Sequence, residues 1–322
     1  MSDSRERFID EISVLQVDGG QYNIRESVLK AREVVREYAK GTELKEGDFG
    51  DIYSPEEIKR DIDTVEKFEA RFEERRERAT IPGRERDESA DVRSEAMECS
   101  IAYHGEMSEW FGEGAYMIRT TRYDNIVNGE DLVWEREGAR LALGIDTTTA
   151  RSETIVGKKI TRNIEKLRRG KAEIKYFQSM TDPKVRGDLK SIIPVVIGLD
   201  SENTEHFLDS LFAFIVLGKL DKRTEIQDVK YKILKREISE SPAQMVFLEE
   251  IIAQLNMYQE VLSHELSADI LQEITCARQA IIEILSGKVA SGLSKKEFQG
   301  DKTLGMISLV CRRQTLQAAT IQ

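Results

Sequence analysis

Two short apolar runs, Leu132-Val133-Trp134 and Leu141-Ala142-Leu143-Gly144-Ile145, flank the polar linker EREGAR. The linker carries a Gly and reads as a hairpin turn, so the runs are predicted to be paired strands. The first run opens at an acid, Asp131, and the second ends on an acid, Asp146, followed by three threonines. Strands pair about 4.8 Å apart, so this hairpin register brings Asp131 and Asp146 together at one end of a sheet. Two carboxylates there make a hard, oxygen-rich site suited to Mg²⁺ or Mn²⁺. The plainer reading is that both acids end strands and face water, and spacing alone leaves both readings open.

The chain has 322 residues, which calls for roughly two or three folding units. Its 40% hydrophobic content supplies a core, and its 33% charged content suits long solvated helices. A net charge of −11 argues against coating nucleic acid with the whole surface, so any such contact needs a local basic patch. Cys99, Cys276 and Cys311 are far apart, show no metal spacing and read as reduced thiols of a cytoplasmic protein. The opening MSDSRERFIDE has no apolar stretch of a signal peptide, and no run approaches the ~18 apolar residues of a membrane span.

Helix signals surround the hairpin. Asn23 to Tyr38 reads as a helix. Ser54-Pro55-Glu56-Glu57 is a capping box with Pro at the first helical position. Ile58, Ile62, Val65, Phe68 and Phe72 then form one apolar stripe on a helix to about Arg78, which packs on the core, on another helix or on a second copy of the chain. A second helix, Ser89 to Phe111, buries Met97, Ile101 and Trp110, and Glu98 flanks that buried side. Tyr116 to Thr121 reads as a strand. After Asp146 come an amphipathic helix, Thr154 to Arg169, a short strand, Ala172 to Phe177, and a strongly apolar strand, Ile192 to Leu199. From Thr204 onward the pattern is helical, with a broad apolar face in Gln244 to Leu255 suited to a bundle. The tail from Gly287 has no clear assignment.

Between Arg151 and Lys190 the chain carries 12 Lys and Arg against 5 Asp and Glu, a local net of +7. That basic segment follows directly after the carboxylates. Lys158, Arg162, Lys171 and Lys175 are its candidate contacts to a nucleic-acid backbone, against the plainer reading of a solvated helix face. His104, His206 and His264 are scattered without HxxxH or HExxH spacing, which rejects a zinc hydrolase. No phosphate loop or dinucleotide fingerprint is present, and no nucleophile triad signature.

The element order from Ser89 to Leu199 is helix, strand, strand, strand, helix, strand. With acids at those places, it resembles the restriction-endonuclease-like, PD-(D/E)XK, nuclease superfamily over about a third of the chain. The resemblance implies a metal held by an acid on the first helix, an Asp opening the second strand and an acid in the third. These roles fall on Glu98, Asp131 and Asp146. It also implies a lysine two residues after the third acid, where this chain has Thr148. Some members carry that lysine on the following helix, which points to Lys158 or Lys159. Since Lys159 precedes Ile160 on the sheet-facing side, Lys159 is the expected one. Glu130 stands where the motif has Pro. More loosely, the run from YDNIVNGEDLVWE through IKYF to IPVVIGLD looks like uncharacterised proteins of uncultured bacteria, which implies no known function.

The expected architecture is therefore α/β, a restriction-endonuclease-like αβββαβ core at 89–200. A helical extension at 1–88 precedes it, and a C-terminal helical domain at 201–288 and a tail at 289–322 follow. The expected function is Mg²⁺- or Mn²⁺-dependent cleavage of DNA, with homo-oligomerisation through the helices and no membrane partner. The alternative is a non-enzymatic helical scaffold on an inactive core.

Overall fold

The computed structural model describes residues 44–79, 88–137, 142–149, 152–170, 172–190, 192–218, 220, 222–294, 298 and 300–321. The helix expected at Asn23 to Tyr38, and the residues Arg151 and Lys171, lie outside them. In chain order a 3-10 turn, Glu46–Phe49, leads into α1 (Pro55–Ala79) and α2 (Glu88–Met107). Next come β1 (Ala115–Arg119), a π-helical turn (Asp124–Asn128), β2 (Leu132–Arg136), β3 (Ala142–Thr148) and α3 (Glu153–Arg168). They are followed by β4 (Glu173–Gln178), β5 (Arg186–Lys190), β6 (Ile193–Gly198) and α4 (Ser201–Gly218). Four helices close the chain: α5 (Glu225–Ser239), α6 (Ala243–Val261), α7 (Ala268–Ala290) and α8 (Lys302–Ile321). The protein is mixed α/β.

Strands β1, β2 and β3 form an antiparallel meander, and β6 adds parallel to β3, giving the order β1-β2-β3-β6. Strand β6 is buried at every position, as its run of apolar residues requires. It lies at the sheet edge, and α6 covers its free backbone groups. Tyr258 Oη donates to Pro194 O at 2.8 Å, and Gln254 both donates to Val196 O and accepts from Val196 N at 2.7 and 2.8 Å. Gly198 N donates to Glu250 Oε2 at 2.8 Å. Residues 250, 254 and 258 recur every ~6 Å along a helix, and alternate strand residues recur every ~6.6 Å. One helix face thus substitutes for a fifth strand and removes an open edge.

One buried apolar cluster runs from Ala96 in α2 to Cys311 in α8. The C-terminal helices, expected as a domain of their own, therefore share a core with the sheet. The tail is α8, which packs on α6 and α3. The sequence also missed β5, whose RGDLK has no strand pattern and owes its extension to pairing with β4.

The Ser54 capping box forms: Glu57 N donates to Ser54 Oγ, and Ser54 N to Glu57 Oε2, each at 3.2 Å. The apolar stripe of α1 is covered at Val65, while Phe68 and Phe72 are exposed. The helix is fastened to β4 by polar groups. Buried Asp61 pairs with the Lys175 ammonium and accepts from Tyr176 Oη at 2.8 Å. That ammonium also lies 4.9, 5.3 and 5.6 Å from the ring centres of Tyr53, Tyr176 and Tyr123. Lys175, expected to contact nucleic acid, is thus turned inward. Asp61→Ala leaves this ammonium and a phenol without their acceptor. We expect it to destabilise the protein by about 3 kcal/mol, read as a lower urea midpoint with an unchanged slope.

Candidate functional site

The β2–β3 ladder pairs Leu132 with Ile145, and Asp131 N donates to Ile145 O at 2.8 Å. The next position outward on each strand is Asp131 and Asp146, so the two acids stand across from each other at one end of the sheet. Their partners differ. Asp131 Oδ2 accepts from Thr147 N at 2.6 Å and Thr147 Oγ1 at 2.7 Å, and its Oδ1 accepts from Asn125 Nδ2 at 2.6 Å. Asp146 is buried and meets two cations from α3: Lys159 Nζ on Oδ1 and Arg162 Nη2 on Oδ2, both at 2.6 Å.

The side-chain spacing of α3 explains this. Lys159, Arg162 and Lys166 are three and four residues apart and share one face, alongside the buried Ile160 and Asn163. Lys159 Nζ also donates to Thr147 O at 2.9 Å, which locks the ammonium between both strand-end residues. Lys158, about 100° round the helix, is exposed. Arg162, expected to contact a phosphate backbone, carries its charge to Asp146 and Gly129 O.

Glu98 reaches the same end from α2. Its Oε1 accepts from Arg119 Nη2 at 3.0 Å and Nε at 3.3 Å. Withdrawal from water, and then the charge of Asp131, push its pKa up to about 8 against the pull of Arg119. Asp131 is pushed up to about 6 by burial and by Asp146, against Lys159 and the Thr147 donors. A fourth acid, Glu130, is fully buried behind them. Its Oε1 pairs with Lys166 Nζ at 2.5 Å, while its Oε2 has no hydrogen-bond partner. Burial raises its pKa to about 7 although Lys166 opposes the shift.

The set is a line of acids from α2, β2 and β3 backed by cations from α3 and β1. The donors are hard oxygens, and Glu98 and Asp131 hold their protons above the ordinary carboxylate range. Both features fit a divalent cation of the Mg²⁺ type. Against that, no three of the His, Cys, Asp and Glu side chains among the described residues converge as a ready-made metal site. Asn125, Thr147, Arg119 and Lys166 were not singled out in the sequence, and Glu130 only as the residue in the place of the motif's Pro. Only Lys166 carried a signal, its place in the helical stripe of Lys159 and Arg162.

Fold and site together define a mixed α/β protein with a charged cluster at the end of a small mixed sheet. Comparisons with known families, with curated proteins and with solved structures return no match to this chain. Among the described residues no helix is long and apolar enough to cross a membrane.

Proposed function

We propose that this chain is a divalent-metal-dependent nuclease acting on DNA, built on a restriction-endonuclease-like core. The observation that carries the reading is the opposition of Asp131 and Asp146 across β2 and β3, with the Lys159 ammonium on Asp146. The four-stranded sheet β1-β2-β3-β6, preceded by α2 and crossed by α3, supports it, with β4 and β5 inserted between α3 and β6 as a separate two-stranded sheet. Asp131, Asp146 and Glu98 would hold the ion. Bound Mg²⁺ or Mn²⁺ would polarise a phosphoryl oxygen and lower the pKa of a water. Lys159 stands beside Asp146 as a fixed cation, suited to offset negative charge that builds on a phosphodiester during attack. Arg162, on the same helix face and half exposed, offers a second.

A specific observation favours the second reading, an inactive core in a helical scaffold. Both oxygens of Asp146 are already ion-paired, and Asp131 accepts three hydrogen bonds. Titration calorimetry with Mn²⁺ separates the two. The wild type is expected to bind one ion per chain and Asp146→Ala to lose it. Binding is expected to strengthen as pH rises through 6 to 8. Over that range Asp131, near 6, and Glu98, near 8, give up the protons an ion must displace. Equal heats from both proteins would leave only the scaffold.

A further inference from the structure

We propose that Asn125 is a positioning residue for Asp131, and that the π-helical turn carrying it exists to aim that carboxylate. The inference rests on the metal reading above and adds a residue outside its ligand set. Asn125 Nδ2 donates to Asp131 Oδ1 at 2.6 Å. Thr147 N and Oγ1 hold the other oxygen at 2.6 and 2.7 Å. Two oxygens held from two directions leave the carboxylate no freedom to rotate.

The turn is fixed at its first residue. Asp124 is fully buried, and its carboxylate accepts from Lys175 N, Tyr176 N, Thr121 Oγ1 and Asn128 Nδ2 at 2.8, 3.0, 3.1 and 2.6 Å. The two backbone donors, Lys175 N and Tyr176 N, pin the start of the turn to β4. Gly129 N donates to Asp124 O at 2.8 Å and closes a six-residue turn, and Gly129 itself is left-handed at φ 72°. A π turn holds one more residue than an α turn. Here the extra residue brings the Asn125 amide to bear on the strand-end acid six positions later. Thr147 lies on β3 and Asn125 on the β1–β2 connection, so Asp131 is aimed by elements on both sides of its own strand.

Removing a hydrogen-bond partner of a metal ligand typically costs 10–100-fold in metal affinity. Asn125→Ala is therefore expected to raise the Mn²⁺ dissociation constant by about 10–100-fold with an unchanged far-UV circular dichroism spectrum. A purely structural residue would leave Mn²⁺ affinity alone. If Asn125→Ala fails to fold, Asn125→Gln, which keeps the amide on a longer arm, is expected to weaken Mn²⁺ binding in its place. Mn²⁺ binding equal to wild type in a folded variant overturns the inference. If the wild type itself binds no Mn²⁺, the metal reading falls and the hydrogen exchange of the Asn125 side-chain amide decides the positioning role. Slow exchange in the wild type that becomes fast in Asp131→Ala supports it. Fast exchange in both overturns it.

Discussion

Gly198→Ala is expected to lower stability by about 3 kcal/mol or more, with much of the protein insoluble on expression. Gly198 ends β6 and pairs in parallel with Thr148 at the end of β3. A Cβ there would stand 1.9 Å from Thr148 O and 2.9 Å from both Thr148 C and Cγ2. The obstacle is backbone, which cannot swing aside as a side-chain tip does. The strands must part at their carboxyl ends, beside Asp146, and the bond from Gly198 N to Glu250 goes with them. Gly157→Ala is the control of opposite sign. It lies inside α3, and a Cβ there meets only Val310 Cγ2 at 3.8 Å. Replacing a mid-helix Gly with Ala gains about 0.5–1 kcal/mol. Urea unfolding of both variants is the measurement. A wild-type midpoint for Gly198→Ala would mean that the two strand ends are not in contact.

Such contacts are what a sequence cannot display. The β2–β3 hairpin was readable because two apolar runs and a Gly-bearing linker are local signals. The Ser54 capping box was readable for the same reason, since its partners are three residues apart. Strand β6 was readable from its unbroken apolar run. Strand β5 was not, because RGDLK is extended only by virtue of β4. Helix α8 was not, because its buried Ile307, Val310 and Cys311 fall in one short apolar run, LGMISLVC, followed by polar residues, and their partners lie on α6 and α3.

The candidate site divides along the same line. Opposition of Asp131 and Asp146 follows from hairpin register alone. The orientation of Lys159 followed from its neighbour Ile160, which is buried. Arg162 and Lys166 lie on the same helical stripe and were open to the same reasoning. The bonds of Asn125 and Arg119 depend on how the π-helical turn and α2 approach the sheet, which no spacing encodes. Lys175 shows how charge counting misleads. It contributes to a basic segment, yet Asp61, 114 positions earlier, takes its ammonium.

Lys159→Ala is expected to reduce DNA cleavage by at least about 100-fold, the usual loss when one fixed transition-state partner is removed. The side chain is three-quarters shielded and its ammonium is held by Asp146 Oδ1 and Thr147 O at 2.6 and 2.9 Å. An ammonium so held needs no reorganisation to meet charge developing beside it. Thr148, two residues beyond Asp146, has a neutral hydroxyl and cannot take over. Arg162 stays on Asp146 Oδ2, so the acid keeps one counter-charge and the variant folds. Metal binding is expected to persist and to tighten slightly, because an ion no longer competes with the ammonium for Oδ1. Lys158→Ala, which removes an exposed charge one residue away, is expected to change cleavage by less than about threefold, within the reach of a screened surface charge. Supercoiled plasmid with Mn²⁺, followed for nicking and linearisation, reports all three proteins. Equal cleavage by wild type and Lys159→Ala removes the lysine from the mechanism. A wild type that binds Mn²⁺ and leaves every form of DNA intact moves the chain to the scaffold reading, with Lys159 and Arg162 kept as the counter-ions that allow Asp146 to stay buried.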